Sequence, residues 1–285
     1  MPTSSPSLPA PATIAFIGGG NMARSLIGGL VAQGRDPASI HVAEPMAELR
    51  EALHRDFAVH VHDTADAAAT NATTWMLAVK PQVMREVCNG LAAAASKQQP
   101  LVVSIAAGIT TAQLARWFGM PLPIVRAMPN TPALLRAGIT GLFANVGVSK
   151  EQRAQADALM HAAGPTVWLD DEALMDAVTA VSGSGPAYLF LLAEAMQAAG
   201  ESEGLSAGQA RVLVAQTLFG AARMLDESHE TATELRRRVT SPKGTTEAAI
   251  NTFEAGGFRP LVKDAIHAAR IRGAELSAAN DAEST

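Results

Sequence analysis

The sequence predicts an α/β fold, in which an N-terminal Rossmann-type doubly wound sheet is followed by an all-α domain. Three observations support this prediction. In the first half, short apolar runs rich in β-forming residues alternate with stretches whose apolar residues recur at helical spacing. These runs end in loops rich in glycine, proline or polar residues, as parallel strands in α/β proteins commonly do. From Asp170 onward only helical patterns remain.

Composition indicates the size class and excludes several functions. The chain has 285 residues, 48% of them hydrophobic, which is enough for two domains. Its net charge of −5 argues against a nucleic-acid partner, because such proteins normally present a basic face. No window looks long and apolar enough to span a membrane. The single cysteine, Cys88, excludes an internal disulfide and suits a reducing cytoplasm, where we expect the protein.

The first apolar run leads into a glycine-rich turn. Thr13–Ile17 is followed by Gly18-Gly19-Gly20-Asn21-Met22-Ala23 and then by a helical pattern. Gly18 permits a tight turn, Gly20 lets the backbone approach a pyrophosphate, and Ala23 allows close packing of helix on strand. We therefore expect a dinucleotide whose phosphates bind at the helix N-terminus. The alternative to a dinucleotide site is an ordinary glycine-rich turn at the end of a strand.

The second apolar run, Ser39–Ala43, ends at Glu44, where the dinucleotide fingerprint places an acid that binds ribose. Glu44 favours a free 2′-hydroxyl and hence NADH. Arg50 could still reach a 2′-phosphate, so the choice between NADH and NADPH stays open at this stage.

Further strands are predicted along the first half, and Lys80 follows one of them. Because the carboxyl ends of parallel strands meet at one edge of a sheet, their loops line a crevice in which ligands bind. Lys80 is interpreted either as a cofactor contact or as a solvated loop lysine. The predicted strands are residues 57–61, 74–79, 101–105, 123–127, 141–144 and 166–169.

The second half is predicted to contain helices alone. Within it, Tyr188–Leu192 is apolar on all sides, which is typical of a helix that is buried on every side. A domain of roughly 110 residues is too small to bury such a helix in its own core, so we expect an all-α dimerisation domain and a homodimer. The predicted helices cover residues 171–180, 185–204, 207–228, 231–239, 245–255 and 258–278.

A turn near the C-terminal end, Val239–Glu247, combines small hydroxyl residues with Pro242 and Gly244 and leads into a helical pattern. The free backbone N–H groups of such a helix start bind anions. We expect the turn to hold the carboxylate of a small substrate against the dinucleotide. The domains then follow as a disordered leader (1–12), a dinucleotide-binding domain (13–168), an all-helical dimerisation and substrate domain (169–279) and a tail (280–285).

Six motifs follow one another along the chain, at residues 17–23, 78–81, 104–108, 128–132, 181–188 and 239–247. Together they resemble the motifs of pyrroline-5-carboxylate reductases, in order and over nearly the whole chain. The resemblance implies reduction of 1-pyrroline-5-carboxylate to L-proline with NADPH or NADH, the last step of proline biosynthesis. It also implies a dimer, and in this family dimers commonly associate into a decamer, a pentamer of dimers.

The site residues follow from the fingerprint and the resemblance together, and no metal site is predicted. The predicted catalytic residues are Thr246, which is expected to approach the ring nitrogen, and Ser241, which is expected to support the turn. Glu172 either faces the substrate or is a solvated carboxylate at a helix start, and Lys243 stands where the family often has Gly or Asn. Substrate contacts are assigned to Gly244, Thr245, Thr246 and Glu172. Cofactor contacts are assigned to Gly18, Gly20, Asn21, Met22, Ala23, Glu44, Val79, Lys80, Ala107, Asn130 and Arg238.

Two rival functions remain open. A β-hydroxyacid dehydrogenase would share the order of domains. Those enzymes resemble one another in carrying a catalytic lysine on the long helix that follows the linker between the domains. The corresponding helix here, residues 185–204, contains no lysine. A dinucleotide-sensing protein would keep the cofactor site without turnover. A cyclic imine can arrive as the iminium, so the expected reaction needs positioning and electrostatics more than a strong acid.

Overall fold

The computed structural model describes residues 12–282, so most of the predicted leader and the last three residues of the predicted tail lie outside the described range. The chain divides into two compact units. The sheet unit contains the residues up to Gly183 together with those from Ala269 onward, and the helical unit is Ser184–Ala268.

An eight-stranded sheet forms the centre of the sheet unit, in the order β3-β2-β1-β4-β5-β6-β7-β8. All neighbouring strands are parallel except β6 and β7, which are antiparallel. The strands are β1 (Ile14–Ile17), β2 (Ile40–Ala43), β3 (His60–His62), β4 (Thr74–Leu77), β5 (Leu101–Ser104), β6 (Ile124–Met128), β7 (Thr140–Ala144) and β8 (Thr166–Leu169).

Helices cover both faces of this sheet and continue through the helical unit. In the sheet unit they are α1 (Asn21–Ala32), α2 (Ala47–Phe57), α3 (Ala65–Ala69), α4 (Pro81–Gln98), α5 (Thr111–Phe118), α6 (Lys150–Met160) and α7 (Met175–Val178). The later helices are α8 (Gly185–Ser202), α9 (Ala207–Glu227), α10 (Ala232–Arg238), α11 (Thr245–Ala255) and α12 (Phe258–Ala282).

The side chains of β1 alternate between the two faces of the sheet, and their packing shows why the sheet lies at the centre. Ile14 and Phe16 pack into a core shared with α1, α2 and α6, whereas Ala15 and Ile17 pack into a second core shared with α3, α4 and α5. All four residues are at most 2% exposed. A strand with apolar side chains on both faces is stable only between two helical layers, so the doubly wound sheet is confirmed.

Most predicted boundaries lie within one or two residues of the observed ones, and the larger differences occur in three places. The third strand is β3, His60–His62, because the predicted segment starts with Phe57, which ends α2, and Ala58 then takes a left-handed conformation with φ of 57°. The helix predicted over 171–180 is a short 3₁₀ turn, α7 and a π-helical turn. The last helix, α12, continues to Ala282, past its predicted end at residue 278.

The sheet unit extends beyond the strand at which the first domain was expected to end. Residues that follow β8 pack into the unit, because Met175 and Ala180 are completely buried. In addition, a Cβ on Gly141 of β7 would come within 2.6 Å of the Val178 side chain. The compact boundary therefore lies at Gly183, after the predicted boundary at residue 168.

The helical unit exposes the run that was expected to be buried on every side. In a single chain, Leu189, Phe190 and Leu191 of α8 are 55%, 69% and 66% exposed. Pro186 is the buried residue of this helix. Within residues 12–282, no helix is long and apolar enough to cross a membrane.

Candidate active site

The N-terminus of α1 is arranged to receive an anion. Its N-cap, Gly20, is extended and makes no side-chain cap, and the first turn holds no acidic residue. The first-turn N–H groups of a helix have no intrahelical partner. A Cβ placed on Gly20 would meet no atom within 4 Å, so open space lies in front of this turn. Both features suit a pyrophosphate.

Gly18 sets the path of the backbone into this helix. Its φ is +104°, which strains any residue with a Cβ, and a Cβ there would lie 2.6 Å from the Ala78 carbonyl oxygen. The Gly18 N–H donates to the Ala43 carbonyl at 2.9 Å, at the end of β2. Because β1 lies between β2 and β4, the turn occupies the point where the strand order reverses, where open α/β sheets bind ligands.

Glu44 follows β2, where the sequence predicted it, and lies beside the glycine turn. It is 7% exposed, and its Oε2 accepts from the Gly19 N–H at 3.1 Å. Its Oε1 accepts from the Met46 N–H at 3.0 Å. Arg50 donates through Nη1 to the carbonyl oxygens of Glu44 and Pro45, at 2.7 and 2.8 Å. The carboxylate is thus fixed by backbone donors, which sequence reasoning did not foresee.

The other predicted cofactor residues of the sheet unit fall into two groups. Asn21, Lys80 and Ala107 are exposed at the carboxyl ends of strands, whereas Met22 and Val79 are half-buried and Ala23 is buried. Lys80 is the N-cap of α4, with Pro81 directly after it. These positions match the ligand-binding edge of the sheet, and their individual cofactor contacts stay predictions.

Asn130 has a structural role that the sequence did not reveal. Its Nδ2 donates to the Ser182 carbonyl at 3.1 Å, and its Oδ1 accepts from the Ile139 N–H at 3.0 Å. The side chain is 9% exposed. It therefore joins the loop after β6 to the start of β7 and to the π-helical turn, and its predicted contact with the cofactor stays a prediction.

Glu172 is held by the sheet unit and is not a solvated carboxylate. Its Oε1 and Oε2 accept from the N–H and hydroxyl of Thr111, both at 2.8 Å, at the start of α5. Arg126 of β6 approaches the same carboxylate at 3.4 Å and that of Asp176 at 3.7 Å. The alternative of a solvated carboxylate does not describe this environment, because both Glu172 oxygens accept hydrogen bonds, the side chain is 21% exposed, and the carboxylate lies beside the buried Arg126 guanidinium. The role toward substrate stays a prediction.

In the helical unit, the predicted substrate turn is also a helix start without a side-chain cap. The N-cap of α11 is Gly244, which is extended and has no side-chain cap. The Ser241 carbonyl accepts from the Gly244 N–H at 3.0 Å, which closes the turn. Ser241 and Thr245 are exposed, and Thr246 is half-buried. The N–H groups of the first turn, at Thr245 and Thr246, therefore begin a helix without an intrahelical partner.

Lys243 occupies a left-handed position within this turn, with φ of +60°. This explains why Gly or Asn suits the position, because both tolerate that conformation better than lysine does. The Lys243 N–H donates to Glu247 Oε2 at 2.7 Å, so the carboxylate of the helix's third residue fixes the turn. Lys243 thus adopts, at this position, a conformation that costs a residue with a Cβ more than it costs Gly or Asn.

Arg238, the remaining predicted cofactor residue, lies on the surface of the helical unit. It forms an ion pair with Glu230 that is exposed on both sides, and the neighbouring Arg236 pairs with Glu254. Within the helical unit Arg238 is thus a surface arginine, and its predicted contact with the cofactor stays a prediction.

Comparison with known proteins now identifies the family. Residues 172–276 match the family described as pyrroline-5-carboxylate reductase dimerisation, and residues 13–108 match the family described as NADP oxidoreductase coenzyme F420-dependent. The pyrroline-5-carboxylate reductase of Pseudomonas aeruginosa is 56% identical over 264 residues, with 93% of this chain and 96% of that protein covered. The chain belongs to the pyrroline-5-carboxylate reductase family.

Other members and solved structures agree with this assignment. The pyrroline-5-carboxylate reductase of Haemophilus influenzae is 44% identical over 92% of this chain and 97% of its own. The structure of the Coxiella burnetii pyrroline-5-carboxylate reductase has a TM-score of 0.90 at 44% identity and covers 93% of this chain and 98% of that chain. The Plasmodium falciparum pyrroline carboxylate reductase, solved with NADP bound, has a TM-score of 0.81 at 26% identity, with coverage of 93% and 98%.

Proposed function

We propose that the protein is a pyrroline-5-carboxylate reductase, which reduces 1-pyrroline-5-carboxylate to L-proline with NAD(P)H in proline biosynthesis. Family membership sets the reaction. The observation that assigns substrate binding to particular residues is the helix start at Gly244, whose first-turn N–H groups have no side-chain cap. A substrate carboxylate satisfies such a start, as an anion does at any uncapped helix N-terminus.

The cofactor fits the sheet unit. Its pyrophosphate is accommodated by the uncapped start of α1 and by the open space in front of Gly20. Asn21, Met22 and Ala23 supply the N–H groups of this turn. When bound, NAD(P)H supplies the hydride that reduces the imine. Among residues 12–282, no group of three or more His, Cys, Asp or Glu side chains is placed so that it could hold a metal ion.

The helical unit then has three tasks in the proposed mechanism. The N–H groups of the first turn of α11 hold the substrate carboxylate, and the Ser241 carbonyl keeps Gly244 in place. The Thr246 hydroxyl orients the ring nitrogen, which reaches the enzyme already protonated as the iminium. Since the iminium is electrophilic without further protonation, a hydrogen-bond partner suffices in place of a strong acid.

Replacement of Thr246 tests this assignment. Thr246→Ala should lower kcat/KM by roughly ten- to a thousand-fold, the range for the loss of one or two oriented hydrogen bonds. The measurement is the consumption of NADH or NADPH when pyrroline-5-carboxylate is added. Thr252→Ala is a matched control, because Thr252 lies on the same helix with its hydroxyl bonded to the Ala248 carbonyl at 3.0 Å. An unchanged kcat/KM in Thr246→Ala would remove this residue from the mechanism.

The same assay separates the proposal from its rivals. A β-hydroxyacid dehydrogenase would oxidise a hydroxy acid and leave the imine unchanged. A dinucleotide-sensing protein would bind NAD(P)H and consume none. Failure of the wild-type protein to turn over pyrroline-5-carboxylate would overturn the proposed reaction.

Assembly and location complete the proposal. We infer a homodimer formed through the helical unit, and association of dimers into a decamer, in the cytoplasm. The match to a dimerisation family and the exposed apolar face of α8 support the dimer. Light scattering at micromolar concentration counts the chains per particle, and a fully active monomer would contradict this part of the proposal.

A further inference from the structure

The end of α12 packs against the loop that follows β5. This part of the helix, from Ala269 onward, belongs to the sheet unit. The Asn280 Nδ2 donates to the Gly108 carbonyl oxygen at 3.0 Å, although the two residues are 172 positions apart in the sequence. A Cβ on Gly108 would lie 3.6 Å from both the Leu276 Cβ and the Ser277 nitrogen. The loop backbone is therefore in van der Waals contact with one turn of the helix.

A second contact fixes the far end of the same loop. Gln113, in the first turn of α5, is 2% exposed, and its Nε2 donates to the Ser277 carbonyl oxygen at 3.0 Å. Its Oε1 accepts from the Thr110 N–H at 2.7 Å, which completes the capping box of α5. A buried amide is stable only when its donors and acceptors are paired, so the start of α5 depends on the end of α12.

The end of α12 is itself held by the sheet unit. Gly273 is buried, and a Cβ at this position would lie 3.4 Å from Asp176 Oδ1. The same Asp176 oxygen lies 3.7 Å from the Arg126 guanidinium, which is buried in the sheet unit. The helix end thus has its own fixed position, and it is a firm support for the loop after β5.

The supported loop carries one of the predicted cofactor contacts. Ala107 is exposed, whereas its neighbours Ala106 and Gly108 are buried. Because β5 is parallel to β4 and adjoins it, this loop lies at the same edge of the sheet as the loop that contains Lys80. Gly108 has φ of +70°, a conformation that strains a residue with a Cβ. The end of α12 contacts the loop at this glycine and leaves Ala107 accessible to a ligand.

We propose that the end of α12 positions the loop of residues 106–110 for the nicotinamide cofactor, with Asn280 as the positioning residue. Asn280 holds the Gly108 carbonyl and, through it, the place of Ala107. Without this hydrogen bond, fewer molecules have a loop that is ready to bind, and the apparent dissociation constant of the cofactor rises by the same factor. Bound cofactor then orders the loop, so kcat at saturating cofactor is retained. The inference rests on the proposed function for the presence of this cofactor.

Titration of NADPH and of NADH into the wild-type protein and into Asn280→Ala measures the effect. The cofactor that the wild-type protein binds more tightly should bind the variant roughly three- to tenfold more weakly, the range for loss of one hydrogen bond. Its KM should rise by a similar factor, whereas kcat and the KM for pyrroline-5-carboxylate should stay within about twofold. Unchanged cofactor affinity would overturn the inference, and so would a parallel fall of kcat and Tm, which indicates a structural role.

Two further variants separate the hydrogen bond from the rest of the helix end. Asn280→Asp keeps the shape of the side chain but turns a carboxylate oxygen toward the Gly108 carbonyl, so cofactor affinity should fall by about tenfold or more. Wild-type affinity in this variant would refute the role of the hydrogen bond. Glu275→Gln is the matched control on the same helix end, because Glu275 is 56% exposed and pairs with Arg272. Its cofactor affinity should stay within about twofold, and a loss equal to that of Asn280→Ala would contradict a specific role for Asn280.

These measurements also distinguish the inference from the proposed function. If the wild-type protein bound neither NADPH nor NADH, both would fail. If it bound a cofactor that the Asn280 variants bound equally well, only the role of α12 would fail. If the Asn280 variants bound the cofactor more weakly but the wild-type protein did not reduce pyrroline-5-carboxylate, only the proposed reaction would fail.

Discussion

The sheet unit and the helical unit differ in how far they bury their large apolar side chains. The sheet unit hides apolar side chains completely, among them Phe16, Trp75 and Phe118, and it even hides the charge of Arg126. In the helical unit the buried hydrophobic residues include Ala210, Val214 and Leu235, whereas large apolar side chains such as Phe190 lie on its surface.

The difference shows that one chain completes only the first of the two units. A sheet whose strands are apolar on both faces receives a helical layer on each face from its own connections. The helical unit has no such layer for the apolar face of α8, and exposed contiguous apolar surface marks a protein interface. The predicted burial of residues 188–192 therefore needs a second chain.

A charge in the apolar face of α8 should have the largest effect. Phe190→Asp would place an unpaired carboxylate in the interface, at a cost of several kcal/mol, about 3 or more. We expect loss of the dimer at micromolar concentration, measured by light scattering, together with loss of reductase activity. Val146→Asp is the control, because Val146 is a fully exposed apolar residue of the sheet unit. An unchanged number of chains per particle in Phe190→Asp would place the interface elsewhere.

Removal of the buried guanidinium should have the next largest effect. Arg126→Leu leaves the carboxylates of Glu172 and Asp176, with side chains 21% and 19% exposed, without their cation. Loss of one partner from a buried ion pair destabilises a protein by about 3 kcal/mol or more. Urea unfolding at one fixed protein concentration measures the change.

The matched control for this variant lies in the helical unit. Arg223→Leu removes an ion pair with Glu227 whose side chains are 59% and 60% exposed. Water screens such pairs, so the free energy of unfolding should change by about 1 kcal/mol or less. Similar losses in both variants would show that the charge network of the sheet unit is no more buried in solution than a surface pair.

A histidine group at the edge of the sheet should give the smallest effect. His60 and His62 of β3 stack on His41 of β2, with ring centroids 4.9 and 5.2 Å away, and His41 Nδ1 lies 2.9 Å from His62 Nε2. Burial lowers the pKa of His41, and the charges of His60 and His62 lower it further. The pKa of His62 is also lowered, again mainly by burial, although Asp63 opposes this.

Because its pKa is lower in the folded state, His41 binds a proton more readily when the chain is unfolded. Its contribution to stability is therefore present above the ordinary pKa of 6.5 and is lost as the pH falls through the lowered value. His41→Asn should reduce the loss in Tm between pH 7.5 and pH 5 by about a degree or two. His267→Asn, at an exposed position of the helical unit, is the control. A pH dependence unaffected by His41→Asn would exclude this linkage.

Local patterns were sufficient to predict much of the fold and where the candidate site lies. β8 ends where its apolar run ends. The turn requires glycine at position 18 because the backbone there has a positive φ, and glycine at position 20 keeps the space in front of the helix open. The helix start at Gly244 likewise follows from residue types that favour a turn before an apolar period. These features depend on neighbours within a few positions of the chain, which periodicity and turn chemistry report.

The remaining features depend on residues far apart in the sequence. No local signal indicates that Glu172 will meet Thr111 and Arg126, that Asn130 will meet Ser182, or that Glu44 will accept from Gly19. The packing of whole helices and strands determines these partners. It decides which polar groups are removed from water, and buried polar groups are stable only when they are hydrogen-bonded or paired. The sequence by itself thus determined the layered fold, the family motifs and the two glycine-led helix starts. Only the tertiary structure decided which charged groups are buried and paired.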